Sequence, residues 1–144
     1  MHVTWYHLLL DGSAFLLLYH SLVESSLGRR LAYVCAGAAG SLLFSWATAS
    51  SAIGLCGLSG IAHGLMAVSA LELLISQTSH SAERRVGWAS FGFVVAKAAF
   101  EALSGRMFFA FLDFVLLGSP VAVSHAGGIV GGLLAFLVLK RGKL

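Results

Sequence analysis

Charge is what this chain has least of. Only 10% of its 144 residues are Asp, Glu, Lys or Arg, where a water-soluble domain needs roughly a quarter to cover its surface. The deficit excludes an ordinary soluble fold. Proline occurs once, at Pro120, and the two cysteines, Cys35 and Cys56, are too few for a disulfide framework. Cys35 falls inside an apolar run and Cys56 near the edge of another, so both are expected to be small apolar packing residues. The nine Lys and Arg residues occur mostly as pairs between apolar runs. With no basic stripe and no aromatic platform, nucleic-acid binding is excluded. What the chain does have is apolar length: 58% of it is hydrophobic and its mean hydropathy is +0.91.

Five apolar runs approach the roughly 20 residues of helix that a bilayer requires: 3–23, 31–49, 57–75, 86–103 and 120–139. A sixth, 107–117, is too short and contains Asp113, so it reads as an interfacial or tucked helix. Lys and Arg accumulate on the cytoplasmic side of membrane proteins. Arg29 and Arg30 follow the first run, Arg84 and Arg85 the third, and Lys140, Arg141 and Lys143 the fifth, which leaves Lys97 and Arg106. The N-terminus is therefore expected outside, and Ser59, His125 and His7 fall within one or two helical turns of the outer face.

An ionisable side chain inside a membrane costs several kcal/mol and usually serves a purpose. Ser59 sits in Gly57-Leu58-Ser59-Gly60, where the third run begins. A helix N-terminus there offers unpaired amides and a positive dipole end to a developing oxyanion. Gly57 and Gly60 permit close approach; Gly60 with Gly64 also fits a small-residue helix contact. His125 opens the fifth run and is followed by Gly128 and Gly132, a groove along which that helix can pack until the imidazole reaches Ser59. His7 and Asp11 share a face of the first run and form either an oxyanion donor with its orienting partner or a self-satisfied pair. His63, one turn after Ser59, packs beneath His125 or is a satisfied core histidine. Lys97 and Glu101, four apart, read most economically as an intramembrane ion pair, with gating or holding of a substrate tail as the alternative.

With those residues in place the chain resembles the rhomboid intramembrane serine proteases, over nearly its whole length. His7-Leu8-Leu9-Leu10-Asp11 is similar to their HxxxN helix, Val23-Glu24 with Leu27-Gly28 to the charged turn that follows, Gly57-Leu58-Ser59-Gly60 to the GxSG nucleophile, and His125 with Gly128 and Gly132 to the AHxxGxxxG helix. The stretch from Gly57 to Gly64, with His63 where many rhomboids carry tyrosine, and Lys97 with Glu101 before Gly105, look most like the rhombosortase branch. The resemblance implies Ser59 as nucleophile, His125 as general base and then acid, and His7 with the Gly57 and Leu58 backbone as oxyanion hole. The substrates implied are exported bacterial proteins with a C-terminal GlyGly-CTERM tail. Asp11 stands where the family has asparagine and Ser124 where it has alanine before the histidine. An ionised Asp11 would repel an oxyanion, so it must be protonated or turned away for the chemistry to run.

The expectation is a single all-α domain over residues 1–144, a polytopic membrane helix bundle of rhomboid type with about five transmembrane helices, the first helix of the six-helix core being absent. Its site, Ser59 and His125 with His7, Asp11, Leu58 and Gly57 in support and His63, Gly60, Gly128 and Gly132 behind them, needs no metal and no cofactor. Its partners are membrane lipid and the transmembrane helix of a substrate protein. The location is a bacterial inner membrane with the site toward the periplasm. Two other readings remain: an inactive rhomboid-like protein that binds transmembrane helices, and a zinc-dependent hydrolase using His7, Asp11, His63 and His125.

Overall fold

The computed structural model describes residues 5–48, 58–76, 80–104, 108 and 122–141. These form five helices, α1 Trp5–Ser21, α2 Leu27–Ala47, α3 Ser59–Ile75, α4 Ser81–Ser104 and α5 Ala122–Arg141, and no strand is present among the described residues. Each helix lies on one of the five apolar runs. α4 and the 123–140 part of α5 are long and apolar enough to cross a membrane; α1 and α3 contribute shorter apolar helices. The short run 107–117 lies outside the described residues except for Phe108.

Two helices start earlier than hydropathy indicates. Arg29 and Arg30 stand in the first turn of α2, and Arg84 and Arg85 are the fourth and fifth residues of α4. Hydropathy marks where apolar residues end, whereas backbone hydrogen bonding continues until something stops it. Ser26 in extended conformation opens α2, and the Arg30 guanidinium folds back onto the carbonyls of Leu22 and Glu24. At α4 the Glu83 carboxylate accepts from the His80 amide at 2.9 Å, placing an acidic group at the positive end of the helix.

Small residues set the helix order. On α5, Gly127 and Gly131 meet Gly40 and Ala36 of α2, while Gly128 and Gly132 meet Gly60 and Gly64 of α3. Residue numbers rise together across α3 and α5, which are parallel, and oppositely across α2 and α5, which are antiparallel. Gly87 against Ala70 and Lys97 against His63 make α4 antiparallel to α3. Ser21 with Ser69 and Val23 with Glu72 make α1 parallel to α3. The N-termini of α1, α3 and α5 thus share one end. α3 lies in the middle, packing on all four other helices, and its Leu65, Ala67 and Val68 are almost fully buried.

On α2 the buried residues are Tyr33, Gly37, Ser41 and Ser45, a spacing of four that marks one inward stripe. Cys35 lies half a turn from that stripe and is exposed, which corrects the expectation that it packs inside. Cys56 lies outside the described residues.

At the end opposite the N-termini, α3 is tied to the turn between α1 and α2 through Glu72. This carboxylate is 6% exposed and accepts from the amides of Val23 at 2.7 Å and Glu24 at 3.2 Å. Glu72→Leu removes both acceptors and leaves two amides without them, each costing about 1–3 kcal/mol. The expected result is a clear fall in thermal midpoint in detergent, with Glu72→Gln, which keeps one acceptor oxygen, falling between.

Candidate active site

Ser59 is the first residue of α3, reached through a turn at Leu58. The amide of Ala62 already bonds the Leu58 carbonyl at 2.8 Å. The amides of Ser59, Gly60 and Ile61 are therefore those that an α-helix leaves without an internal acceptor. They belong to the first turn of α3, at the positive end of the helix. Gly57 lies outside the described residues.

His125 stands in the first turn of α5, 66 residues later, with 4% exposure. Its Nε2 is 3.3 Å from Ser59 Oγ. Four glycines make this approach possible: a Cβ on Gly132 would stand 2.9 Å from the Gly64 carbonyl oxygen, and one on Gly128 would overlap the carbonyl of Gly60. Larger residues at these positions would hold α5 away from α3. His125 is buried and Ser59 is partly buried.

The other ring nitrogen, His125 Nδ1, lies 2.6 Å from Oε2 of Glu101 on α4. The second oxygen of Glu101 accepts from Lys97 Nζ at 2.8 Å and from the Phe108 amide at 3.2 Å. Lys97 Nζ in turn lies 3.0 Å from His63 Nε2, and His63 Nδ1 lies 2.7 Å from the carbonyl oxygen of Ser59. The two imidazoles stack 4.0 Å apart at 9°. Protons follow from the partners: an ammonium has no acceptor and a carbonyl has no donor, so His63 is neutral, with its proton on Nδ1. The chain of contacts leaves Ser59 through its hydroxyl and returns to its carbonyl.

Lys97 and Glu101 do pair, as their spacing predicts, but each also has a long-range partner that the local spacing conceals. Asp11 stands half-buried on α1, on the helix that carries His7; the His7 side chain lies outside the described residues. Gly60 packs between α2 and α5: a Cβ there would stand 2.9 Å from Cβ of Ser41 on α2 and 3.0 Å from the Ser124 carbonyl oxygen on α5.

Among the described residues, donor atoms of His63, Glu101 and His125 lie within 4.8 Å of one another, a spacing that could hold a metal ion. The Lys97 ammonium already stands at hydrogen-bond distance from two of these three residues. A metal ion would have to displace it or share its place at a cost in repulsion, so this geometry fits an internal cation better than zinc. The chain matches no family model, no curated protein and no solved structure.

Proposed function

We propose that this chain is a multi-pass membrane protein of five spans and an intramembrane serine endopeptidase of rhomboid type, acting through Ser59 and His125. The observation that carries the reading is the 3.3 Å approach of His125 Nε2 to Ser59 Oγ at the N-terminal end of α3. No catalytic metal or cofactor enters the reaction.

The outer surface supports the membrane setting. Leu9, Leu17, Leu43, Leu134 and Val138 are more than half exposed, and Trp5 and Trp46, near helix ends, are 79% and 80% exposed. An apolar exterior with tryptophans near helix ends fits a bilayer and its interfaces. Basic residues at the end opposite Ser59 support a site at the extracytoplasmic side of a bacterial inner membrane.

In this reading Ser59 Oγ attacks the scissile carbonyl as His125 Nε2 takes its proton. The oxyanion forms against the first-turn amides of α3, with His7 as a further donor. His125 returns the proton to the leaving amine, and water then hydrolyses the ester on Ser59. The substrate is a membrane-anchored protein cut near the outer end of its transmembrane helix. Its backbone must leave the helix to be cut, and glycine lowers that cost by about 1 kcal/mol per residue relative to alanine. A C-terminal tail of the GlyGly-CTERM kind, with two glycines ahead of the helix, meets this requirement.

The test is covalent labelling of the purified protein in detergent with a fluorophosphonate, mapped by mass spectrometry, followed by cleavage of a Gly-Gly-containing membrane-anchored tail. The expected adduct is on Ser59 and disappears in Ser59→Ala. Folded wild type that stays unlabelled would turn the reading to a helix-binding protein without activity.

A further inference from the structure

Glu101 does more than neutralise Lys97. We infer that it is a positioning residue for His125, which makes the site a serine–histidine–glutamate triad held from behind by Lys97 and His63. This inference rests on the serine-protease reading above.

Glu101 is 1% exposed, and its two oxygens are occupied unequally. Oε1 faces two donors, Lys97 Nζ and the Phe108 amide. Among the described residues, Oε2 faces His125 Nδ1 alone, at 2.6 Å. A carboxylate that accepts from an ammonium and a backbone amide is ionised, and so buried a charge persists only because it is paired. It accepts from Nδ1–H, so the proton of neutral His125 sits on Nδ1 and leaves Nε2 bare toward Ser59 Oγ. That is the tautomer a general base requires. As Ser59 loses its proton, the imidazolium forms against the Glu101 carboxylate.

Lys97 and His63 decide which way Glu101 can serve. The ammonium holds Oε1 in place, and His63, fixed by the Ser59 carbonyl, holds the ammonium and stacks on the His125 ring. Nucleophile, base and carboxylate come from three helices, and this loop of contacts keeps them in register.

Glu101→Gln tests the inference, because its outcome follows from the unequal surroundings of the two oxygens. The amide oxygen is drawn to the side of Lys97 and Phe108, where two donors wait, and the NH₂ is left facing His125 Nδ1. The imidazole must then accept at Nδ1 and carry its proton on Nε2, where it cannot take the Ser59 proton. Replacing a triad carboxylate by its amide costs on the order of 10⁴-fold for this reason.

The experiment is ¹⁵N NMR of histidine-labelled protein in micelles, with the His125 resonances assigned from His125→Ala, alongside fluorophosphonate labelling rates. The expected result is a proton on Nδ1 in wild type, a proton on Nε2 in Glu101→Gln, and labelling slowed at least about 100-fold with the helical content unchanged. Should the unbalanced ammonium unfold that variant, Lys97→Met/Glu101→Gln removes both charges, keeps the Phe108 donor, and is expected to show the same switch. Wild type that labels, with a glutamine variant that labels at an equal rate and shows no switch, would overturn this inference alone. A tautomer switch in Glu101→Gln beside a wild type that never labels would overturn the protease reading and the triad with it, leaving Glu101 only as the group that sets the His125 tautomer.

Discussion

His125→Ala is expected to reduce the cleavage of a membrane-anchored substrate by at least about 10⁴-fold, and Ser59→Ala by as much. The serine hydroxyl is a poor nucleophile until a base takes its proton, and Nε2 at 3.3 Å is the nitrogen placed to do so. Nucleophile and base act as one unit, and in serine proteases either single loss costs nearly as much as the loss of the whole set, on the order of 10⁶-fold in turnover. The double variant is therefore expected to be no slower than either single one. Measured turnovers of all three, against a common background, check that non-additivity. His125→Ala also leaves Glu101 Oε2 without its imidazole donor and removes the stacking on His63, so a loss of about 1–3 kcal/mol in stability accompanies it. Comparing thermal midpoints separates that loss from the loss of chemistry. More than about 1% of wild-type turnover in folded His125→Ala would show that another group serves as the base.

Much of this arrangement is legible in the sequence, for reasons that differ from residue to residue. The encounter of Ser59 with His125 can be anticipated because basic residues fix which helix ends share a side, and glycines at 60, 64, 128 and 132 leave a track along which α3 and α5 can approach. Neither argument needs a distance. The link from Glu101 to His125 is harder to read, because Lys97 four residues earlier already gives Glu101 a local partner and so removes the reason to seek another. The antiparallel course of α4 contains the missing hint, since it brings Glu101 toward the end of the bundle occupied by His125. Glu72 gives less signal still: a single carboxylate near the end of an apolar run reads as a side chain reaching for water, whereas in the fold it receives two amides from the turn after α1. Cys35 illustrates the opposite failure. Its hydropathy is compatible with either face of α2, and only the stripe through Tyr33, Gly37, Ser41 and Ser45 shows that it points outward.

Gly128→Val is expected to destroy both the fold at the α3–α5 contact and the reactivity of Ser59. A Cβ at this position would stand 2.6 Å from the carbonyl carbon of Gly60 and closer still to its oxygen, where non-bonded carbon atoms prefer about 3.5–4.0 Å. Both neighbours are helix backbone, which cannot rotate aside as a side chain can, so α5 must move off α3 by about 1 Å or more. That displacement strikes the site directly, because Gly128 follows His125 by less than one turn and Gly60 is the residue after Ser59. A contact already at 3.3 Å does not survive it. The loss in stability is expected to be about 3 kcal/mol or more, with fluorophosphonate labelling falling to background in whatever folded fraction remains. Gly132→Ala meets the Gly64 carbonyl oxygen at 2.9 Å, so a smaller shift suffices and about 1–2 kcal/mol is expected, with slowed but measurable labelling. Gly92, on α4, has nothing within 4 Å of an added Cβ; Gly92→Ala should gain about 0.5–1 kcal/mol from helix propensity and label at the wild-type rate. Thermal midpoints and labelling rates that follow this order would tie reactivity to the separation of two backbones, and equal effects at Gly128 and Gly92 would sever that tie.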